Sequence, residues 1–369
     1  MPHLLNRRHA ISLAAGLALP AFAQSTAPWG DIERKAHGQT VYFNAWGGAS
    51  NINDYIQWAG TEVHKRFGVT VEHVKVTDTA DVVKRVRGEK AAGKLSGGSV
   101  DMVWINGENF LAMKSEGLLM GPFAEQLPAY AYVDVQRKPT TRIDFSEPVA
   151  GMEAPWGMAQ LTFFVDGKRV PKPPQNPAEL LAFAKAHPGR VTYPRLPDFH
   201  GTTFIKQLLL DLNTDRSTLY QPATPETVTK ATAPLWKYLD ALHPHLWRKG
   251  KQFAQNAGAV RQMVADGELV LGITFNPNDA ANEIAAKRLS PSTVSYQFKS
   301  GTIGNTHFLA VPFNAQAKEG AQVFINFLLG AEAQARKADI AVWGDPTVLA
   351  IDALPPAQRA RFAAKPQPG

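Results

Sequence analysis

"TVYFNAWGGASNINDYIQWAGTEVHKRFGVTVEHVKV" occupies residues 40–76, and its reading decides the fold class. Residues 40–45 have the apolar pattern of a strand, "NDYIQWAGTEVHKRF" (53–67) has helical spacing, and "GVTVEHVKV" (68–76) is strand-like again. Strand, helix, strand in that order predicts parallel strands joined by a crossover helix. The first turn holds Gly47, Gly48, Asn51 and Asn53 beside Trp46. A simple reversal of direction needs no large aromatic residue next to its glycines. The turn is therefore a phosphate cradle, a tight structural turn or one wall of a ligand cleft.

The alternation continues outward from this stretch. "DTADVVKRVRGEKAAG" (78–93) is helical, "SVDMVWI" (99–105) a strand and "NFLAMKSEG" (109–117) a short helix. A Pro- and Gly-rich passage, "PVAGMEAPWGMAQ" (148–160), precedes the strand "LTFFV" (161–165), the helix "NPAELLAFAKAH" (176–187), the strand "RVTYP" (190–194) and the helix "GTTFIKQLLLDL" (201–212). Helices at 226–247 and 256–267, strands at 268–275 and 306–314 and one long helix at 317–338 complete the series. The fold class is α/β: two lobes, each a mostly parallel sheet with flanking helices, and a ligand cleft between them. Residues 38–154 with 304–350 make lobe 1, residues 155–303 make lobe 2, and 351–369 form a tail. A chain of 369 residues is long enough for two such bodies.

Ligands of open parallel sheets bind beyond the carboxyl ends of the strands. The segments there, with the two crossings, are 46–54, 106–110, 153–160, 198–204, 275–283 and 301–308, and 343–347 can join them. None contains Lys or Arg, although the chain has 39 of them and a net charge of +7. They offer Trp46, Gly47, Gly48, Asn51, Asn53, Asp54, Asn106, Glu108, Asn109, Trp156, Thr202, Thr203, Asn276, Asn278, Asp279 and Asn305 as ligand contacts. Carboxylates with aromatic faces suit a cationic or neutral organic solute, each cation–aromatic contact giving about 0.5–2 kcal/mol. The structural alternative stands for each residue: Trp after a strand is commonly core, and Asp54 or Asp279 near a helix start favours the helix dipole.

Several function classes are excluded or disfavoured. The opening turn lacks the lysine of GxxxxGK[ST] and the spacing of GxGxxG, so the phosphate cradle fails. HExxH and GxSxG are absent, Cys is absent, and none of the eight Tyr are neighbours. No catalytic residue, cofactor or metal is expected. The basic residues are scattered over solvated faces, which argues against nucleic acid. A hydrolase or lyase with Glu108 or Asp279 as base is the competing class.

The N-terminal "MPHLLNRRHAISLAAGLALPAFAQ" joins Arg7 and Arg8 to an apolar stretch and Ala21-Phe22-Ala23. That is the design of a secretory signal peptide over residues 1–23, with a mature start near Gln24 in the periplasm.

"NAWGG" (44–48), "DMVWINGENF" (101–110), "APWGMAQLTFFVDGKRV" (154–170), "GELVLGITFNPNDA" (267–280) and the run 301–338 together resemble the periplasmic solute-binding proteins of ABC importers, in the YnjB-type group related to the thiamine, polyamine and iron binders. The resemblance implies two lobes closing on a small-molecule ligand, delivery to an ABC permease in the inner membrane, and a monomer. It places cleft contacts at 46–53, 106–109 and 276–279, with Trp156 at the hinge.

Overall fold

The computed structural model describes residues 28–363; the signal segment and the start at Gln24 lie outside the described residues. The chain runs α1 (Trp29–Ala36), β1 (Thr40–Trp46), α2 (Ser50–Phe67), β2 (Thr70–Val76), α3 (Thr79–Ala91), β3 (Met102–Ile105) and α4 (Glu108–Ser115). A hairpin of β4 (Ile143–Asp144) and β5 (Glu147–Pro148) precedes β6 (Glu153–Gln160) and β7 (Thr162–Asp166). Next come α5 (Pro177–Ala186), α6 (Phe199–Leu212), α7 (Pro225–Leu242), α8 (Ala257–Ala265), β8 (Gly272–Thr274), α9 (Asp279–Ala285) and β9 (Thr293–Tyr296). The last elements are β10 (Gly304–Ala310), α10 (Lys318–Leu329), α11 (Ala331–Ala338) and α12 (Pro356–Ala363).

The opening stretch is the expected β1–α2–β2 unit, with β1 and β2 parallel and in register from Thr40–Thr70 to Trp46–Val76. Gly68 ends α2 at φ 67°, a left-handed position open to glycine, and its N–H returns to His64 O. Asp78 starts α3 by accepting from Ala80 N, and Asn176 and Thr224 start α5 and α7 in the same way.

The larger sheet has the order β2-β1-β3-β10-β6 and the smaller β8-β7-β9. Each has its own core: Phe43, Tyr55, Trp156 and Phe324 in one lobe, Phe163, Phe204, Leu208 and Leu239 in the other. The expectation of mostly parallel sheets holds only for β1–β2 and β1–β3; β10 is antiparallel to β3 and β6, and the smaller sheet is antiparallel throughout. The cause is the connection: β6 runs almost straight into β7, so the chain enters the second sheet without a crossover helix. The passage 153–160, read as a crossing, is strand β6 and belongs to the larger sheet. The chain leaves that sheet at Leu161, later than 154, and Leu161 N donates to Ile303 O at 2.9 Å beside the return strand.

Two further expectations change. "RVTYP" forms no ladder; only Pro194 makes a bridge, with Ala254, while Val191 O and Arg190 O accept from Trp247 N and Val270 N. The long helix 317–338 is divided at Gly330, which is extended at φ −66°, ψ 152°. The break lets buried Gln334 donate to Leu328 O and Trp156 O, so α11 is tied to the sheet rather than projecting from it. The described part of the tail, residues 351–363, is docked: α12 packs against α11 and buries Phe362.

Candidate functional site

The aromatic residue beside the glycines of the opening turn is explained first. A Cβ on Gly47 would lie 2.7 Å from Lys75 Cβ, and one on Gly48 would collide with the Trp46 indole. The glycines therefore make room for the chain's own side chains, not for a ligand backbone contact. Gly48 lets Trp46 lie flat at the end of β1, where it lines the cleft. Asn53 Nδ2 holds Gly47 O at 3.1 Å, which fixes the turn from α2.

The cleft lies between the lobes and encloses a cavity of about 160 Å³, comparable to one that admits a single aromatic ring. Lobe 1 supplies Trp46, Asn51, Trp104, Asn106 and Asn109, joined by Asn305 and His307 of β10 and by Trp343 and Asp345. Lobe 2 supplies Phe199, His200, Arg261, Phe275, Asn276 and Asp279. At the floor, Trp104 and Trp343 cluster with Trp156 buried behind them, with ring centroids 5.0, 5.3 and 5.7 Å apart. His307 lies parallel to Trp343 within 9°.

Of the residues singled out in the sequence, Trp46, Asn51, Asn106, Asn109, Asn276, Asp279 and Asn305 line this cavity. The others are placed elsewhere. Trp156 is wholly buried under the floor, because β6, the edge strand beside β10, packs it against Phe43, Tyr55 and Trp104. Asp54 and Asn53 border an outer groove between α2 and β2. Glu108 is exposed and points to Lys206 Nζ at 3.4 Å. Thr203 is buried within lobe 2, and Thr202 Oγ1 donates to Pro197 O. Asn278 Nδ2 donates to Gly344 O at 2.6 Å.

The electrostatics also differ from the sequence picture of a cation-free acidic wall. Arg261 enters the cleft from α8 and grips Asp279 through both carboxylate oxygens, at 3.0 and 3.2 Å. Burial pushes the Asp279 carboxyl upward, with Arg261 opposing it. Lys337, fully buried under the floor, pairs with Asp345, and His307 Nε2 lies 3.2 Å from the same Asp345 oxygen. Burial lowers the Lys337 ammonium, with Asp345 holding against it. Asp78 and Asp198 are occupied as caps of α3 and α6. Asp279 is held by its arginine and Glu108 lies outside the cavity lining, so neither is placed as a free base.

Sequence reasoning missed Asp78, although it follows β2 and the strand-end rule reaches it. Arg261, one turn into α8, carries no strand-end signal.

Residues 58–359 match the family model for bacterial extracellular solute-binding proteins. The chain belongs to that family. It is 48% identical to protein YnjB of Escherichia coli K12 over 95% of this chain and 90% of that relative. Among solved structures, this solute-binding protein is similar to the spermidine/putrescine ABC transporter substrate-binding protein PotD of Streptococcus pneumoniae, at TM-score 0.61, 15% identity and 87% coverage of each chain. It is also similar to the periplasmic binding protein AfuA of Actinobacillus pleuropneumoniae with fructose-6-phosphate bound, at TM-score 0.62 and 15% identity, covering 86% of this chain and 88% of that one. It is a solute-binding protein of the ABC-transporter type. Those two neighbours carry a polyamine name and a sugar phosphate on one fold, so the fold leaves solute chemistry to the cleft residues.

Proposed function

We propose that the protein is exported to the periplasm behind residues 1–23, acts as a monomer without chemistry of its own, and hands a small solute to an ABC permease. Residues 38–160 with 304–350 move as one body and 161–303 as the other, closing on a flat, neutral or cationic organic solute. The observation that carries this reading is the convergence of aromatic faces and carboxamides from both lobes on one ring-sized cavity. The positive ends of α3 and α6 are already answered by Asp78 and Asp198, and the one arginine lining the cleft is tied to Asp279. An oxyanion therefore finds no free Lys or Arg in the cleft wall, although the start of α2 at Ser50 lies beside it without a side-chain cap.

Native mass spectrometry of the protein as purified tests the solute class by identifying what it carries. Solution scattering tests closure: binding of that solute should reduce the radius of gyration. A retained oxyanion, or a tightly bound solute without compaction, overturns this function.

A further inference from the structure

Among the described residues, the carboxamides of Asn51, Asn106, Asn109, Asn276 and Asn305 line the cleft. Three of them are committed within the chain. Nδ2 of Asn51 donates to Val342 O at 3.2 Å, Nδ2 of Asn276 to Trp343 O at 3.2 Å, and Nδ2 of Asn305 to Thr306 O at 3.0 Å. Asn106 and Asn109 differ. Both are half-buried, neither amide makes a hydrogen bond among the described residues, and none of their polar atoms is shut off from solvent. They stand open, on residues that line the cleft.

Their positions are fixed by the chain. Asn106 follows β3 and Asn109 lies in the first turn of α4. Gly107 between them takes φ 59°, ψ −131°, a conformation that a residue with a side chain resists, and Asp144 Oδ2 accepts from its N–H. Aromatic faces share the cavity: Trp46 and Trp104 from lobe 1, Phe199 and Phe275 from lobe 2. The charges around it are engaged, Arg261 by Asp279 and Asp345 by Lys337. His307 adds no preference, because an imidazole nitrogen either donates or accepts.

A carboxamide sets an acceptor oxygen beside an NH2 donor without net charge. A solute that covers such a group displaces its water and has to return both kinds of bond. One that offers donors alone, or acceptors alone, leaves part of the amide unpaired. We infer that Asn106 and Asn109 are the specificity residues of the cleft, reading a donor and an acceptor side by side on the edge of a planar, uncharged solute: a carboxamide or an amino-substituted nitrogen heterocycle. The inference rests on the cleft being the solute site.

Calorimetry with benzamide, benzamidine and benzoate tests it. The three are flat rings of similar size, and at neutral pH they present a donor with an acceptor, donors alone and acceptors alone. Benzamide should bind most tightly. Asn106→Leu or Asn109→Leu should weaken it by about tenfold, with the melting temperature of each free variant as the folding control. Should the Leu variants fail to fold, Asn106→Asp and Asn109→Asp carry the test: an ionised carboxylate only accepts, so the preference should turn from benzamide to benzamidine. Four outcomes overturn the inference: benzamidine or benzoate binding at least as tightly as benzamide, unchanged benzamide affinity in both folded Leu variants, no turn toward benzamidine in the Asp variants, or no binding of any ring. The receptor reading fails separately. Compaction around a retained solute that lacks a donor–acceptor edge would leave the receptor intact and remove only the role of these two asparagines.

Discussion

Trp46 and Trp156 have similar settings in the sequence and different consequences when removed. Trp46 is half-buried at the cleft wall, whereas Trp156 is wholly buried against Phe43, Tyr55 and two other indoles. Trp46→Ala should weaken solute binding by about five- to thirtyfold, from about 1–2 kcal/mol of lost ring contact, with little change in stability. Trp156→Ala should cost about 3–5 kcal/mol of stability. Urea unfolding and calorimetry on both variants check the pair, and equal stability loss at the two sites would contradict it. Gly157 gives a second residue-scale test. A Cβ there would collide with Asp345, His307 and Lys337, so Gly157→Ala should destabilise by about 1–3 kcal/mol or more through overpacking. Asp54→Asn, by contrast, should leave affinity unchanged. The aromatic, carboxamide and acidic types that line the cleft were visible in the sequence at Trp46, Asn106 and Asp279. What could not be read was occupancy. Asp78, Asp279 and Asp345 look alike in a string, and only the fold brings Ala80 N–H, Arg261 and Lys337 to them.

At the scale of elements, the β4–β5 hairpin supports the start of α4. Asp144 of β4 accepts from Gly107 N at 2.6 Å, where Gly107 takes φ 59°, ψ −131° and so lets Asn106 and Asn109 face the cleft. Burial raises Asp144 to about 7, and burial with the nearby Asp144 raises Glu153 of β6 well above the carboxylate range. Both carboxyls hold their protons in the folded state up to a higher pH than in the unfolded chain. Their contribution is full below about pH 4 and, for Asp144, is lost as pH rises through about 7. His73 and His243, lowered by burial, act in the opposite sense. The comparison that isolates Asp144 is therefore the fall in urea midpoint from pH 5 to pH 8 in wild type against Asp144→Asn. The fall should be smaller in the variant, which keeps an acceptor for Gly107; an identical pH response would show that Asp144 does not titrate there. Element order was legible because period and turn residues mark α2, α3 and α5 locally. The direction of β6, β7 and β10 was not, because "APWGMAQ" contains Pro155 and Gly157 and pairs with a strand about 150 residues away, from Gly304 to Ala310.

For the whole molecule, the lobes meet through three carboxamides. Asn276 and Asn282 donate to Trp343 O at 3.2 and 2.8 Å, and Asn278 donates to Gly344 O at 2.6 Å. Phe145 meets Phe199 at 6.2 Å, and Lys206 faces Glu108 across the same mouth. These contacts favour closure by about 0.5–1.5 kcal/mol for each hydrogen bond. Replacing Asn278 and Asn282 together by Ala should enlarge the solute-free molecule in scattering. It should also lower affinity by up to about a hundredfold, as the binding-competent population falls. No change in radius or affinity would show that the asparagines do not hold the lobes together. The turn they grip also carries Trp343, whose indole is one of three set edge to face or tilted at 82°, 77° and 54° to one another. Chromophores so close and so fixed in angle share their electronic transitions. Their near-ultraviolet circular dichroism should carry a coupled band whose sign and size follow the Trp343 angle. Lobe movement that pulls on Trp343 thus becomes an optical signal, available without any label attached to the protein.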